Sequence, residues 1–253
     1  MITFLIDLIQ QAGILCKDGQ KNLLPSDVTF KNKKDLVTTI DKKIEDFIIK
    51  AIRMKYPSHD ILGEETGRNG FSSDYVWIID PIDGTTSFLH QQPFYSISIA
   101  IQHLGQTIYG AVYAPRLDEL FYADKKDGAF LNGEPIHVSG TDTLINSVMG
   151  TGFACLRADA KHNNLIYFNK LVPQLRDIRR YGSAAIDLCY VACGKLDGFW
   201  EMNLNSYDIA AGAFIVQKAG GVVCDFNGDI HFPEKGIVSA NSLLIKELLE
   251  NFK

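Results

Sequence analysis

The chain has 253 residues, of which 46% are hydrophobic and 22% are charged. These fractions are typical of a globular protein and exclude disordered, collagen-like and coiled-coil chains. The 30 acidic residues outnumber the 25 basic ones and give a net charge of −5, so we expect no direct binding to nucleic acid, which usually needs a basic excess.

The N-terminal segment, MITFLIDLIQQAGIL (1–15), is apolar, but it lacks a basic leader and Asp7 interrupts it. The pattern therefore predicts an amphipathic core helix rather than a signal peptide. No segment has the roughly 18 consecutive apolar residues of a membrane-spanning helix, so no membrane partner is expected. Five scattered cysteines favour buried structural thiols over a disulfide framework, which indicates a reducing, cytoplasmic compartment. They are Cys16, Cys155, Cys189, Cys193 and Cys224.

In chain order, residues 23–34 predict a loop, and DLVTTID (35–41) leads into an amphipathic helix that ends at Pro57. VWIID (76–80) predicts a buried strand that stops at Pro81. Period-2 alternation in SISIAI and several hairpin signals predict an antiparallel meander over about 96–138.

Beyond Gly140, strand and helix patterns alternate to the end of the chain. Gly194 stands where it would close the helix AAIDLCYVACG. This arrangement predicts a layered, mixed α/β (α+β) architecture with a meander sheet and a second mixed sheet. The pattern changes near 140, but no flexible linker marks a boundary there, so we expect one unit over 1–253. The predicted elements of this half are a strand at 147–151, a helix around 162–172, a helix ending at 194, a strand at 198–202, a helix at 208–218, a strand near 237–240 and a last helix.

The strongest local signal is IDPIDGTT (79–86). A strand delivers Asp80 to its end and Asp83 follows three residues later, and two close carboxylates stay ionised most easily beside a cation. Such hard oxygen ligands suit Mg²⁺ or Mn²⁺ better than Zn²⁺. The turn of Gly84 and Thr85 offers backbone N–H groups to a phosphate. For this motif alone, a capped turn is the competing interpretation.

Three further acidic positions lie at the ends of predicted elements. Glu64 follows the apolar pair Ile61-Leu62, Asp41 closes DLVTTID, and Asp208 opens a helix in SYDIAAG. Taken singly, Glu64 predicts a solvated loop and each aspartate predicts a helix N-cap. Four such acidic sites in one chain favour a shared functional site.

These motifs together resemble the inositol monophosphatase family, a group of lithium-sensitive, Mg²⁺-dependent sugar phosphatases. The resemblance covers nearly the whole chain. Two positions depart from the family pattern: Ser87 stands where Asn is usual, and Tyr207 stands where Trp is usual. The landmarks are DLVTTID (35–41), GEE (63–65), WIIDPIDGTTSF (77–88), GSAAIDLCYVACGKLDGFWE (182–201) and YDIAAG (207–212).

The resemblance implies a layered αβαβα sugar-phosphatase fold, with a metal- and phosphate-binding half over about 1–140 and a substrate half over about 141–253. It also implies two to three Mg²⁺ ions, with Mn²⁺ as a substitute, and a homodimer. The first ion would be held by Glu64, Asp80 and the carbonyl of Ile82, and the second by Asp80, Asp83 and Asp208. A third, weaker ion would lean on Glu64.

Further roles follow from the same resemblance. Thr85, oriented by Asp41, would help to activate the attacking water beside Glu64. The backbone of Gly84 and Thr85 would contact phosphate. The substrate hydroxyls would meet Asp83, the N–H of Ala184, and Glu201.

The expected reaction is Mg²⁺-dependent hydrolysis of a phosphate monoester, in particular of myo-inositol monophosphate to myo-inositol and phosphate. Uncatalysed hydrolysis is extremely slow, and two metal ions can both activate a water and stabilise the leaving oxygen. A phosphoenzyme is not expected, because aspartyl phosphatases use DxD where this chain has DxxD. The alternatives are fructose-1,6-bisphosphatase activity, 3′-phosphoadenosine 5′-phosphate phosphatase activity, or a regulatory protein that binds the transcription machinery.

Overall fold

The computed structural model describes residues 1–30, 36–70, 72–230 and 236–253. Residues 31–35, where the predicted loop meets DLVTTID, lie outside the described residues. In the described ranges the helices are α1 (Ile2–Lys21), α2 (Thr39–Lys55), α3 (Thr85–Leu89), α4 (Ala154–Arg157), α5 (Leu165–Leu171), α6 (Ala184–Ala192), α7 (Ser206–Lys218) and α8 (Ile245–Glu250). The strands of the same ranges are β1 (Val28–Phe30), β2 (Leu36–Thr38), β3 (Asp60–Gly63), β4 (Gly67–Asn69), β5 (Tyr75–Asp83), β6 (Ser96–His103), β7 (Gln106–Ala114), β8 (Glu119–Asp124), β9 (Gly128–Leu131), β10 (Glu134–Pro135), β11 (Val148–Thr151), β12 (Asp177–Arg179), β13 (Gly198–Met202), β14 (Val222–Cys224) and β15 (Gly236–Ala240).

The strands form one large sheet, one smaller sheet and the short β1–β2 pair. The large sheet has the order β10-β9-β8-β7-β6-β5-β3-β4, and its one parallel pair within the described residues is β3–β5. The predicted antiparallel meander is its β6–β10 part. The smaller sheet, β12-β11-β13-β15-β14, mixes parallel and antiparallel pairs, as predicted.

These elements stack in the layers α, β, α, β, α. Helices α1 and α2 cover one face of the large sheet, where Leu5 and Ile48 share an apolar cluster with Trp77 of β5. Helices α6 and α7 lie on its other face, where Ile186 and Phe214 pack. The smaller sheet lies beyond them, and α5 and α8 cover its far side. The predicted mixed α/β fold with two sheets is confirmed.

Strand β6 shows how its sequence pattern serves two packed layers. Its isoleucines, including Ile97 and Ile99, face α1 and α2. The intervening Ser96 and Ser98 are also buried, because they face the α6–α7 layer. There Ser98 donates a hydrogen bond of 3.4 Å to the carbonyl of Tyr207. The alternating residues of β6 therefore serve its two faces differently. The large isoleucines fill the core beneath α1 and α2, and the small serines allow α7 to approach closely on the other face.

The prediction that β5 stops at Pro81 is wrong. The strand continues to Asp83, and the pairing with β6 shifts between Asp80 and Asp83. Proline has no N–H to donate to a ladder, and a β-bulge accommodates it without ending the strand. This irregularity determines where the two aspartates point.

Two other local expectations are refined by the structure. Asp41 is the third helical residue of α2 rather than its N-cap, and Thr38 is the N-cap. Asp208 holds the same position in α7, with Asn205 as the N-cap.

The cysteines are all free, four are buried and Cys193 is half-buried, in agreement with structural thiols. Within the described ranges, no helix combines the length and apolarity that crossing a bilayer requires.

Candidate active site

The bulge in β5 places two carboxylates on one side of the large sheet. Asp80 pairs with Ser98 and Asp83 pairs with Ser96, so one extra residue lies on β5. In a regular strand, residues three apart point to opposite faces. Because Ser96 and Ser98 are two apart and share a face, their partners Asp80 and Asp83 share it too. Both aspartates therefore face the layer of α6 and α7.

Asp83 joins the large sheet to the start of α6. Its Oδ2 accepts hydrogen bonds from the hydroxyl of Ser183 at 2.6 Å and from the N–H of Ala185 at 2.7 Å. Ser183 is the N-cap of α6, and its hydroxyl also lies 3.1 Å from that of Ser96. These bonds occupy one oxygen of Asp83 and leave the other available to a ligand.

The third carboxylate of this group comes from α7. The Oδ2 of Asp208 accepts the N–H of Asn205 at 2.5 Å, which fixes the side chain at the helix start. Asp80, Asp83 and Asp208 each offer one carboxylate oxygen, and these oxygens lie within 4.8 Å of one another. The spacing of the sequence alone could not establish this convergence of three carboxylates, which is a geometry that can hold a metal ion.

Burial and mutual repulsion make this cluster costly to ionise. Burial raises the pKa of Asp80 well above its ordinary value, and the charges of Glu64, Asp83 and Asp208 add to the rise. Burial and the charge of Asp83 also raise the pKa of Asp208 well above its ordinary value. The pKa of Asp83 rises to about 6 because of burial, although its hydrogen bonds from Ser183 and Ala185 oppose the rise. A divalent cation would relieve all three penalties, so these residues fit Mg²⁺ or Mn²⁺.

Helices α3 and α7 begin at one pocket, and α6 begins at a recess beside it. Thr85 starts α3 and Ala184 starts α6, and Asp208 lies in the first turn of α7. Thr85 and Asp208 line one pocket with Glu64, and Ala184 and Asp208 line an adjoining recess. The first N–H groups of a helix lack intrahelical partners and favour an anion. The pocket is therefore lined both by the carboxylates of Asp80, Asp83 and Asp208 and by the starts of α3 and α7.

Gly84 makes the turn before α3 possible. Its φ of 91° lies in the left-handed region. A Cβ there would come within 2.9 Å of the carbonyl oxygen of Phe94 and 3.1 Å of that of Gly182. Glycine therefore lets the turn pack against the loop before α6, and Gly84 and Thr85 line the pocket.

Glu64 lines the pocket and lies on a turn whose backbone is hydrogen-bonded to Glu45. The N–H of Glu64 donates to the carbonyl of Ile79 at 3.1 Å. The fully buried carboxylate of Glu45 accepts the N–H groups of Glu65 and Thr66 at 3.0 and 2.8 Å. Helix α2 thus positions the turn that carries Glu64.

Asp41 and Thr85 each have a different hydrogen-bond partner. The Oδ2 of Asp41 accepts the N–H and the hydroxyl of Thr38 at 2.9 and 2.5 Å. The hydroxyl of Thr85 donates to the carbonyl of Ile82 at 3.1 Å. No hydrogen bond joins Asp41 to Thr85 in the described part of the chain, so the orienting role of Asp41 stays a prediction. A carbonyl has two lone pairs, so that of Ile82 can still bind a cation.

The recess next to the carboxylate cluster of Asp80, Asp83 and Asp208 contains the predicted substrate residues. Glu201 is 5% exposed, and its Oε1 accepts the N–H of Ala154 at 2.9 Å. Burial raises its pKa to about 7, although the charges of Arg157 and Arg180 oppose the rise. Ala184 and Asp83 line the same recess. The structure thus brings all three predicted substrate residues together.

Several residues that shape the site lie outside the set predicted from the sequence. Glu45 shares the buried face of α2 with Ile48, and an acid on an apolar helix face was an available signal. Asp187 is likewise an acid in an otherwise apolar helix, and it lines the recess with Arg157 and Arg180. For the two arginines, no sequence pattern distinguished them from solvated surface residues.

The two departures from the expected pattern have local partners. Ser87 is buried, and its hydroxyl reaches the carbonyl of Tyr181 at 3.5 Å. The backbone carbonyl of Tyr207 accepts the hydroxyl of Ser98. Neither side chain supplies an oxygen to the carboxylate cluster of Asp80, Asp83 and Asp208.

Comparisons with known proteins agree with this geometry. The model of the inositol monophosphatase family matches residues 1–253. The chain is 42% identical to Nus factor SuhB of Pseudomonas aeruginosa, over 98% of this chain and 94% of that protein. It is 38% identical to inositol-1-monophosphatase of Mesorhizobium japonicum, over 89% and 86%. The crystal structure of extragenic suppressor protein suhB from Bartonella henselae superposes with a TM-score of 0.93 at 35% identity and covers 100% and 98% of the two chains.

Proposed function

Because the chain belongs to the inositol monophosphatase family, we propose that it is a Mg²⁺-dependent phosphatase that hydrolyses a myo-inositol monophosphate. The observation that carries the proposal is the position of Asp80, Asp83 and Asp208 at a pocket where helices begin. This arrangement supports the binding of a metal ion and a phosphate next to each other.

Each acidic residue has a binding role in this proposal. Asp80, Asp83 and Asp208, with Glu64 and the carbonyl of Ile82, would hold two to three ions. When bound, Mg²⁺ supplies an activated water and stabilises charge on the leaving oxygen. The fixed positions of Asp83 and Asp208, each held by hydrogen bonds at a helix start, support this role.

The remaining residues bind and orient the substrate. The N–H groups of Gly84 and Thr85 would hold the phosphate at the start of α3. Thr85, oriented by Asp41, would help to activate the attacking water, and burial raises the pKa of the Asp41 carboxyl to about 6. Asp83, the N–H of Ala184, and Glu201 would bind the hydroxyls of the leaving alcohol. No step requires a covalent phosphoenzyme.

A phosphate-release assay tests the proposal. The substrates are inositol monophosphates, fructose 1,6-bisphosphate and 3′-phosphoadenosine 5′-phosphate, each with Mg²⁺ and with EDTA. We expect Mg²⁺-dependent release with inositol monophosphates as the preferred substrates. Preference for either bisphosphate would reassign the substrate, and release that survives EDTA would contradict the metal-dependent mechanism.

A second candidate function is regulatory, and the names of the relatives favour it. Several proteins 38–42% identical over nearly the whole chain are named Nus factor SuhB. This chain would then act by binding the transcription machinery, independently of turnover. The test is complementation of a deletion strain by the wild-type chain and by Asp83→Asn. Full rescue by an inactive Asp83→Asn protein would favour the regulatory function, and failure to rescue would favour catalysis.

A further inference from the structure

A large cavity separate from the active site lies between α7 and the end of the β6–β7 hairpin. Its volume is about 550 Å³, whereas the active-site pocket measures about 80 Å³. None of its described lining residues lines the active-site pocket or the adjoining recess. Clefts of about 300–1,000 Å³ are those that hold small organic molecules. This cavity, the α7 groove, has one wall of Gln102 and Thr107 and another of Ala210, Ala213 and Phe214.

The hairpin is irregular where it lines the groove. Gln102 pairs with Thr107, but the preceding Ile101 pairs with Tyr109, so one extra residue lies on β7. A bulge of this kind bends the strand that carries it. Gln102 points to the same face of β6 as Ala100, which packs in the α6–α7 layer. The hairpin therefore carries an amide and a hydroxyl to the α7 side of the sheet.

The opposite wall is apolar and consists mainly of small side chains. Ala210, Ala213 and Phe214 are three or four residues apart in α7 and line the groove from one face of the helix. Val223 of β14 and Ile230, which is 69% exposed, complete the apolar lining. Alanines in place of larger residues leave the space, so this wall can contact the apolar body of a ligand.

The charged residues that line the groove in the described chain are two lysines, Lys125 and Lys218. The ammonium of Lys218 donates to the carbonyl of Lys125 at 3.0 Å and lies 5.5 Å from the ring centroid of Phe214. Neither lysine belongs to an ion pair among the described residues. Asp124 precedes Lys125, but it does not line the groove, and its Oδ1 accepts two N–H groups of its own turn. Two lysines without a facing acid favour an anion, although the chain as a whole has a net charge of −5.

We propose that the α7 groove is a second ligand site, which binds a small organic anion. The apolar body of the ligand contacts Ala210, Ala213 and Phe214, and its carboxylate, sulfonate or phosphate group lies toward Lys125 and Lys218. The two lysines determine the sign of the ligand's charge, and the cavity volume sets its size. An inorganic anion is not the ligand, because it would leave the apolar wall unused. The inference does not depend on the proposed phosphatase function.

A matched pair of probes tests the chemical class of the ligand. 8-Anilinonaphthalene-1-sulfonate joins an aromatic body to one anionic group, and N-phenyl-1-naphthylamine has the same body without the sulfonate. We expect the anionic probe to bind saturably, one molecule per chain, by calorimetric and fluorescence titration, equally in Mg²⁺ and in EDTA. The neutral probe should bind about tenfold more weakly. Excess inorganic phosphate should not displace the anionic probe.

Variants of the groove locate the bound probe. The double variant Lys125→Gln with Lys218→Gln should raise the Kd of the anionic probe about tenfold and leave that of the neutral probe within about twofold. Ala213→Phe fills the groove and should raise both Kd values at least roughly tenfold. Lys126→Gln is the matched control, because Lys126 lies in the same exposed turn as Lys125 but does not line the groove. Its Kd values should equal those of wild type.

Several results would overturn the inference. They are unsaturable binding, equal affinity of the two probes, and equal effects of the double lysine variant and Lys126→Gln. Displacement by phosphate or a dependence on Mg²⁺ would assign the probe to the active site instead. If a second copy of the chain covers the groove, the probe does not bind and the double lysine variant changes the sedimenting mass. Should Ala213→Phe melt well below wild type, the two probes and the lysine variants decide the question.

Discussion

The carboxylate of Glu45 accepts the backbone N–H of Thr66 at 2.8 Å, although 21 positions separate the two residues along the chain. Its other oxygen accepts the N–H of Glu65 at 3.0 Å. Gly63 makes this approach possible, because a Cβ at that position would lie 2.5 Å from Oε1 of Glu45. A helix on one face of the large sheet thus fixes the turn that carries a proposed metal ligand, Glu64.

Replacing Glu45 should loosen that turn. Glu45→Ala leaves two backbone N–H groups without an acceptor, which should lower the free energy of unfolding by about 1–3 kcal/mol. Because the turn carries Glu64, the Mg²⁺ concentration for half-maximal activity should rise at least roughly tenfold. Denaturant unfolding and a Mg²⁺ titration of phosphate release measure the two effects. Asp46→Ala, at the exposed neighbouring position of α2, is the control, and equal effects of the two variants would contradict the role of Glu45.

Mg²⁺ should stabilise the folded protein through the cluster of Asp80, Asp83 and Asp208. A ligand that binds only the folded state raises its melting temperature with concentration. Asp83→Asn should reduce that rise and lower Mg²⁺-dependent turnover on the order of a hundredfold, while the fold persists because the amide oxygen can still accept from Ser183. Thermal melts with Mg²⁺ or EDTA measure the first effect. Asp142→Asn, at an exposed site, should retain both properties, and an undiminished Mg²⁺ effect in Asp83→Asn would refute the site.

Alanine substitutions at Gly84 and Gly105 distinguish the effect of a steric clash from the effect of an unfavourable backbone conformation. Both have positive φ, 91° and 77°. A Cβ at Gly84 meets the carbonyl oxygen of Phe94 at 2.9 Å, whereas a Cβ at Gly105 meets nothing within 4 Å. Gly105→Ala should therefore cost only the backbone penalty of about 1 kcal/mol. Gly84→Ala should cost more and also reduce phosphate release at least roughly tenfold, and equal losses of stability and activity in both variants would contradict this.

Much of the architecture follows from local pattern. The apolar spacing of α1 and α2, the alternation of β6 and the glycine after α6 predicted those elements correctly. Gly194, for example, has a φ of 73° directly after the C-cap residue Cys193. These signals are readable because each depends on a few neighbouring residues. The acids at the element ends were also visible for this reason.

The relative placement of those acids could not be read from the sequence. Asp80 and Asp83 share a face only because a bulge in β5 adds one residue to their pairing with β6. Asp83 is oriented by Ser183, which lies 100 positions away along the chain. Pro81 suggested the end of a strand, while the backbone uses it inside a bulge. Such features depend on tertiary partners, which a local pattern does not contain.

The stability of the metal-free protein should decrease as the pH rises, in part because of Glu201. Burial raises the pKa of its carboxyl from the ordinary value of 4.5 to about 7 in the folded protein. Between those values the folded state binds more protons than the unfolded state, so the free energy of unfolding falls with rising pH. The contribution of Glu201 is complete below about pH 4.5 and is lost as the pH passes 7.

Glu201→Gln cannot titrate, so its stability in EDTA should change less between pH 5 and pH 8 than that of wild type, by on the order of 2 kcal/mol. Urea unfolding at both pH values measures this, with the exposed Glu134→Gln as control, and an unchanged pH dependence in Glu201→Gln would show that the pKa of Glu201 is not raised.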